Sequence, residues 1–329
     1  MKIIFYALVE EELPYIREWA AKTGNEVHPV TDFLNTNSAV LAEGFDAVVT
    51  QQTKVVTPDV YETLASYGIK QIAIRQVGYD ILDIDLARQH GIRLSNVPGY
   101  SPRAIAEFTL TQLFALLRRT KIVERAIQQG DWTWETVGQT REIHELTVAV
   151  IGVGRIGTAF AQMLHALGAR VLAVDPVYHA QNEPFVDYVS LDEALPQADV
   201  VSFHTPLNES THHLGDAAFF EKLKTGAFVL NMSRGGVLDI AVVEAALASG
   251  EIAGLAIDVT ENETQFMEQK QAPSEVPAEI QRLIARDNVL MSPHIAFYTD
   301  LAIKNMVAIS LTDAVTLANG GHTENEILR

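Results

Sequence analysis

The chain has 329 residues, enough for two domains that each bury a core, and 48% hydrophobic with 20% charged content excludes extensive disorder. A formal charge of −18 sets the average field against nucleic acid and anionic lipid; an anionic substrate would also be repelled and would need a local cation to capture it. With no cysteine there is no disulfide, thiolate zinc site or thiol nucleophile, and a reducing, cytoplasmic setting is expected.

The start, 1–8, is apolar, but Glu10, Glu11 and Glu12 follow at once with no small-residue cleavage site, so it reads as a first strand rather than a signal. No apolar run approaches the roughly 20 residues that cross a bilayer, and no membrane partner is expected. Short apolar runs alternate with amphipathic stretches, the α/β pattern of βαβ units around parallel sheets. Strands are expected at 2–6, 46–50, 71–75 and 92–95. The turn-rich NVPGYSP over 96–102 then lets Ser101 cap a helix with Pro102 at its first position. Leu110, Leu113, Phe114 and Leu117 continue that helix into a second unit. There, strands are expected at 146–151, 170–175, 200–203, 228–231, 254–259 and 289–291, a sheet of about six parallel strands. A last helix after Thr299, carrying Ile303, Met306 and Val307, should pack back on the N-terminal domain.

In the second unit GVGRIG separates a strand from an amphipathic helix. A lone GxGxxG is weak, but here strand, glycines, helix, next strand and an acid fall in order. Gly152 allows the tight turn, Gly154 lets backbone approach a pyrophosphate, and Gly157 permits close helix packing, with the helix N-terminus facing phosphate. Asp175, 23 residues beyond Gly152, is placed to accept ribose hydroxyls. Its charge opposes a 2′-phosphate and residues 176–180 carry no Arg or Lys, so the cofactor is read as NAD rather than NADP.

Ligands of open α/β sheets lie beyond the carboxyl ends of the strands. Three polar residues stand there: Arg234 in NMSRGG, Glu263 after IDV, and His294 after NVLMSP. Reduction of a 2-oxo acid needs a hydride donor, an acid for the developing alkoxide, and a cation for the carboxylate. His294 suits the proton, Arg234 offers a planar fork, and Glu263 would favour the protonated imidazole. Taken singly, Arg234 reads equally as a surface ion-pair partner, His294 as a structural histidine and Glu263 as part of a solvated acidic face; only their joint placement argues for chemistry.

GVGRIG with Asp175, NMSRGG, IDVTENE and SPHIAFYT together resemble the D-2-hydroxyacid dehydrogenase family over nearly the whole chain. IRQVGYD, NVPGYSPRAIAEF and HIAFYT look most like its D-lactate and D-2-hydroxyisocaproate branch. The resemblance implies two Rossmann/flavodoxin-like parallel-sheet domains separated by a cleft: a discontinuous substrate domain, 1–99 plus 299–329, and an NAD domain, 100–298, on which a homodimer is built. It implies D stereochemistry, Arg234 binding substrate carboxylate and carbonyl, Glu263 supporting the histidine, and His294 as acid/base. Val77 and Gly78 resemble a backbone carboxylate clamp, while Tyr100 and Phe297 match the lining of the substrate pocket. Arg155 and Ile156 match phosphate-loop positions, Thr205 and Pro206 a loop beside the adenosine half, and Met232, Ser233 and Asp258 the nicotinamide side. Thr260 departs from the aromatic usual after Asp258, and Thr205 from a common valine.

Phe297 and Trp134 resemble the lactate-type branch, which implies a small 2-oxo acid such as pyruvate, whereas VDYVSLDEAL and ENET look closer to the branched-chain type; one methylene is worth only about 1–3 kcal/mol in an apolar pocket. A non-catalytic NAD(H)-binding regulator shares this fold and stays open as an alternative. So does an enzyme for formate or a phosphorylated hydroxy acid, although the latter wants basic residues not evident near Val77, Tyr100 or Phe297. There is no GxSxG, no HExxH and no cysteine for hydrolase chemistry. His212 and His213 read as a solvated loop pair, since neighbouring side chains diverge, and no metal site is expected.

Overall fold

The computed structural model describes residues 1–266 and 269–327. The chain divides into two compact units, Met1–Ser101 with Tyr298–Arg329, and Pro102–Phe297. The first switch falls two residues after the expected boundary and the second one residue before it. The helix Pro102–Leu117 belongs wholly to the second unit.

The first unit holds five strands, β1 (Lys2–Phe5), β2 (Glu26–Pro29), β3 (Ala47–Thr50), β4 (Gln71–Ile74) and β5 (Arg93–Ser95), all parallel in the order β2-β1-β3-β4-β5. The central strands are buried throughout because both faces are covered. Val60, Tyr61 and Leu64 of the helix Pro58–Ser66 pack on Ile4, Val48, Ile72 and Ile74. On the opposite face Ile16 and Trp19 join Val307, Leu311 and Ala314 against Ile3, Phe5 and Val49. The last helix, Asp300–Ala318, thus returns to the N-terminal sheet as its periodicity suggests, capped by Thr299 Oγ1 accepting from Ala302 N. One expectation is amended here. That helix, 19 residues with mean hydropathy 1.4, has the length and composition to cross a bilayer, with half of its apolar window buried in the fold. Asp300, Lys304, Asn305 and Asp313 interrupt it as a run of letters without lowering its mean enough.

At the ends of β1 and β4 the Arg75 guanidinium is wholly buried. Its Nε donates to Glu12 Oε1 at 2.9 Å, its NH groups donate to the Tyr6 and Ala7 carbonyls, and its Cζ lies 3.8 Å from the centre of the Phe5 ring. A buried charge needs such a set of partners. The chain leaves this anchor directly into the bend that leads to residues 76–78.

The second unit holds β6 (Thr147–Ile151), β7 (Arg170–Val174), β8 (Asp187–Tyr188), β9 (Val200–Phe203), β10 (Ala227–Asn231), β11 (Ile252–Ile257) and β12 (Val289–Met291). All pair in parallel in the order β12-β11-β10-β9-β6-β7-β8, seven strands where six are expected. The additions to the two sheets, β2 and β8, are edge strands with polar, partly exposed residues, so neither shows an apolar run. The strand order reverses between β6 and β9, which makes their carboxyl ends the place to look for a ligand.

Candidate active site

At the end of β6 the chain turns through Gly152 with φ +89°, and a Cβ there would lie 2.7 Å from the His204 carbonyl oxygen. Only glycine meets both demands. A Cβ on Gly157 would run into the Gly152 carbonyl, so the helix Arg155–Ala166 is seated directly on the turn. Gly154, by contrast, faces open space and caps that helix with no side chain, leaving the N-terminus and the Arg155 and Ile156 backbone at an uncovered edge. Asp175 closes the turn: Oδ2 accepts from Val153 N at 2.7 Å and Oδ1 from Val177 N at 2.8 Å. Each oxygen keeps acceptor capacity for a ribose hydroxyl.

His204 and Thr205 flank this turn from β9. His204 is half-buried with its Nδ1 out of contact with solvent, and desolvation of the ring drives its pKa down to about 3 and holds it neutral, with Nε2 sharing a 2.9 Å hydrogen bond with Ser202 Oγ. Thr205 Oγ1 is buried without a partner among the described residues, and its methyl lies against Gly152. An unpartnered hydroxyl beside an open glycine cradle, a bare helix N-terminus and a carboxylate at the next strand fit a dinucleotide with unphosphorylated ribose. Pro206 stands next to Thr205, its carbonyl accepting from Thr211 Oγ1.

Farther along the same sheet edge three loops carry the polar triad. After β10, Asn231 organises the first: its Oδ1 accepts from Ser233 N and Oγ, and its Nδ2 donates to the Arg234 carbonyl at 2.9 Å. Met232 is buried within that loop. Gly235 is tied to close approach, because a Cβ there would collide with the Thr260 backbone of the next loop. After β11, Asn262 adopts φ +60°, a conformation asparagine tolerates, and the chain folds back so that Glu263 Oε2 accepts from Thr260 N at 3.1 Å. Thr260, which departs from the aromatic usual in the family it resembles, has its hydroxyl buried without a partner among the described residues.

After β12, His294 sits at φ +56°, a costly conformation for a side-chain-bearing residue that the surroundings must enforce. The enforcing group is Asp258. Placed by sequence on the nicotinamide side, it is 1% exposed and accepts from Ser292 Oγ, from Ile295 N at 3.0 Å and from Ala296 N at 2.8 Å, while its carbonyl takes His294 N at 2.8 Å. Both oxygens thereby hold the histidine loop. The strand-end acid was visible in the sequence; its partners were not, because Ser292 lies 34 residues away and the other donors are backbone.

So held, His294 Nδ1 meets Glu263 Oε1 at 2.7 Å. Burial opposes charge on the ring, but the Glu263 hydrogen bond and negative charge, aided by Asp258 and opposed by Arg234, prevail and hold its pKa above the ordinary imidazole range. Nδ1 is spent on Glu263, which leaves Nε2 to exchange a proton. Arg234 NH1 donates to the Ser233 carbonyl at 2.8 Å. Phe297, half-buried, ends this unit. Val77, Gly78 and Tyr100 belong to the other, where Asn96 Nδ2 donates to the Val77 carbonyl at 2.6 Å, Gln76 Nε2 to the Gly78 carbonyl at 2.9 Å and Asn305 Nδ2 to the Tyr100 carbonyl at 2.7 Å. Asn231, Asn96 and Gln76, which hold these loops, carry no sequence signal beyond their position at strand ends.

A dinucleotide turn sharing one sheet edge with an imidazole hydrogen-bonded to a carboxylate and with an arginine describes a nicotinamide-dependent dehydrogenase. Residues 110–296 match the model of the D-isomer specific 2-hydroxyacid dehydrogenase NAD binding domain. A D-2-hydroxyacid dehydrogenase (NAD+) of Lacticaseibacillus paracasei is 38% identical over 328 residues, 99% of this chain and 98% of that one. The crystal structure of D-lactate dehydrogenase with NAD+ from Lactobacillus jensenii superposes with TM-score 0.91 at 35% identity and full coverage of both chains. That of D-2-hydroxyisocaproate dehydrogenase gives TM-score 0.93 at 39% identity, covering 99% of each. This chain belongs to the D-isomer-specific 2-hydroxyacid dehydrogenase family, and its cofactor is NAD.

Proposed function

We propose that this enzyme reduces pyruvate to D-lactate, with Arg234, Glu263 and His294 as its catalytic set. The observation that carries the reading is the 2.7 Å contact of His294 Nδ1 with Glu263, which favours the protonated imidazole in the unit that bears the dinucleotide turn. NADH, when bound, supplies the hydride to carbon 2 of the 2-oxo acid. Arg234 offers two parallel N–H donors to the substrate carboxylate and carbonyl, meeting the need for a local cation in a chain of charge −18. His294 Nε2 gives its proton to the oxygen as it gains charge, and Glu263 stabilises the imidazolium before that transfer. Gly154, Arg155 and Ile156 would hold the pyrophosphate, Asp175 the ribose, Thr205 and Pro206 the adenosine side, and Met232 and Ser233 the nicotinamide side. Val77 and Gly78 would bind the substrate carboxylate through backbone, with Tyr100 and Phe297 lining its side chain.

The D-lactate name of one structural relative supports pyruvate, while the comparable likeness to D-2-hydroxyisocaproate dehydrogenase favours a branched 2-oxo acid as second reading. We place the enzyme in the cytoplasm as a homodimer. The absence of cysteine and the need for NADH fit a reducing interior, and Trp132 and Trp134, 79% and 83% exposed in one loop of the NAD-binding unit, are unusually bare for large aromatics.

The test is loss of NADH absorbance with pyruvate, 2-oxoisocaproate and phenylpyruvate, with product chirality determined. Turnover of pyruvate to D-lactate is expected. A strong preference for 2-oxoisocaproate would replace the substrate, and tight NADH binding without turnover of any 2-oxo acid would make the protein a non-catalytic binder.

A further inference from the structure

Away from the proposed chemistry, the described residues hold one three-residue cluster of metal-ligating side chains, His212, His213 and Glu261. Neighbouring side chains in a loop ordinarily diverge, yet these two rings stack with centroids 4.0 Å apart and planes 22° from parallel. The cause is His213 at φ +49°, fixed by its N–H donating to the Gly236 carbonyl at 2.8 Å. Glu261 arrives from the separate loop after β11, which the close approach of Gly235 to the backbone of Thr260 and Glu261 holds against the Arg234 loop. One carboxylate oxygen then lies 3.5 Å from His212 Nε2 and the other 3.1 Å from His213 Nε2.

We propose that His212, His213 and Glu261 form a binding site for a divalent transition-metal ion of the Zn2+ type. Ligand atoms at about 2.0–2.1 Å from a tetrahedral ion stand about 3.3 Å apart; each imidazole Nε2 already stands 3.1–3.5 Å from one Glu261 oxygen, His212 from Oε1 and His213 from Oε2, and the ligand atoms of the three side chains all lie within 4.8 Å of one another. Two imidazoles with one carboxylate suit Zn2+, Co2+ or Ni2+, whereas Mg2+ and Ca2+ call for oxygen donors alone. The side chains are 53%, 34% and 41% exposed, so an ion reaches them from solvent and water completes the shell. Among the described residues no Lys or Arg pairs with Glu261, which leaves its charge to the histidines and the ion. Near-parallel rings do not aim at one point, so closing the site requires His212, the more exposed of the two at 53% against 34%, to turn. A bound ion ties the loop after β9 to the loop that carries Glu263 two residues beyond Glu261.

The experiment is calorimetric titration of chelator-treated full-length protein with ZnCl2, with Co2+ absorption as a second readout. One equivalent is expected, with tetrahedral Co2+ bands. Binding should weaken at least about tenfold in His212→Ala and in Glu261→Gln, and vanish in His212→Ala/His213→Asn, where asparagine keeps the left-handed backbone. Absence of Zn2+ uptake by the unaltered protein, or unaltered stoichiometry and affinity in the double variant, would overturn the site; undiminished affinity in Glu261→Gln would overturn the three-ligand assignment.

Discussion

His294 and Glu263 meet at 2.7 Å between Nδ1 and Oε1 although they stand on loops that follow different strands, β12 and β11. Glu263 is itself aimed by the Thr260 N–H on its other oxygen. The contact therefore couples two loops and sets the charge of the ring.

A change at either end separates those roles. The raised His294 pKa keeps the acid form present beyond the ordinary imidazole range, so reduction should fall as pH rises through that raised value. Glu263→Gln removes the main cause of the elevation and leaves the burial that opposes it, so the alkaline limb of kcat/KM for pyruvate reduction should move to lower pH. His294→Gln should lose about 10²–10⁴-fold in kcat while NADH binding is retained. A limb that stays in place in the glutamine variant would refute the charge-setting role of Glu263.

Asp258 should matter through the loop it gathers. In Asp258→Asn an amide NH2 must face at least one of the donors Ser292 Oγ, Ile295 N and Ala296 N, and an unsatisfied buried group costs about 1–3 kcal/mol. His294 then loses the surroundings that enforce its left-handed backbone. The variant should melt at lower temperature and lose kcat by a larger factor than it loses NADH affinity, measured by fluorescence. An equal loss of both would return Asp258 to a plain cofactor contact.

Much of this was readable in advance where a residue type and its place on a strand or helix fix the outcome together. Gly152, Gly157 and Asp175 are legible because a turn, a seated helix and a strand-end acid each leave a local trace. The buried strands show as apolar runs, whereas Glu26–Pro29 and Asp187–Tyr188 do not, since an edge needs no apolar face on both sides. The Arg75–Glu12 pair and the donors to Asp258 were silent, because partners far apart in sequence or made of backbone leave nothing in the letters. Gly235 follows Arg234 in NMSRGG, but the close approach of a second loop that requires a glycine there leaves no trace in the letters.

That approach is open to test. In Gly235→Ala the new Cβ would meet the Thr260 carbonyl carbon and oxygen, and backbone cannot step aside as a flexible side chain can. Overpacking of this kind costs about 1–3 kcal/mol. The Arg234 and Glu263 loops should be forced apart, with kcat/KM for pyruvate falling at least about tenfold and NADH affinity changed little, since the dinucleotide turn lies on β6. Kinetics indistinguishable from those of the parent would show that the loops adjust independently.

Asp175 bears on cofactor choice through two effects, one shared by NAD and NADP and one opposite for the two. Its carboxylate closes the glycine turn through Val153 N and Val177 N, so Asp175→Ala should weaken both dinucleotides by loosening that turn. The same carboxylate is the hydrogen-bond partner of an unphosphorylated ribose and repels a 2′-phosphate, so its removal takes an attraction from NAD and a repulsion from NADP. The sum predicts a large loss for NAD and a small or vanishing one for NADP, seen as a fall in the ratio of kcat/KM for NADH over NADPH. If both cofactors weaken by the same factor, Asp175 only shapes the turn, and discrimination must come from the sterics of the Val174–Tyr178 segment instead.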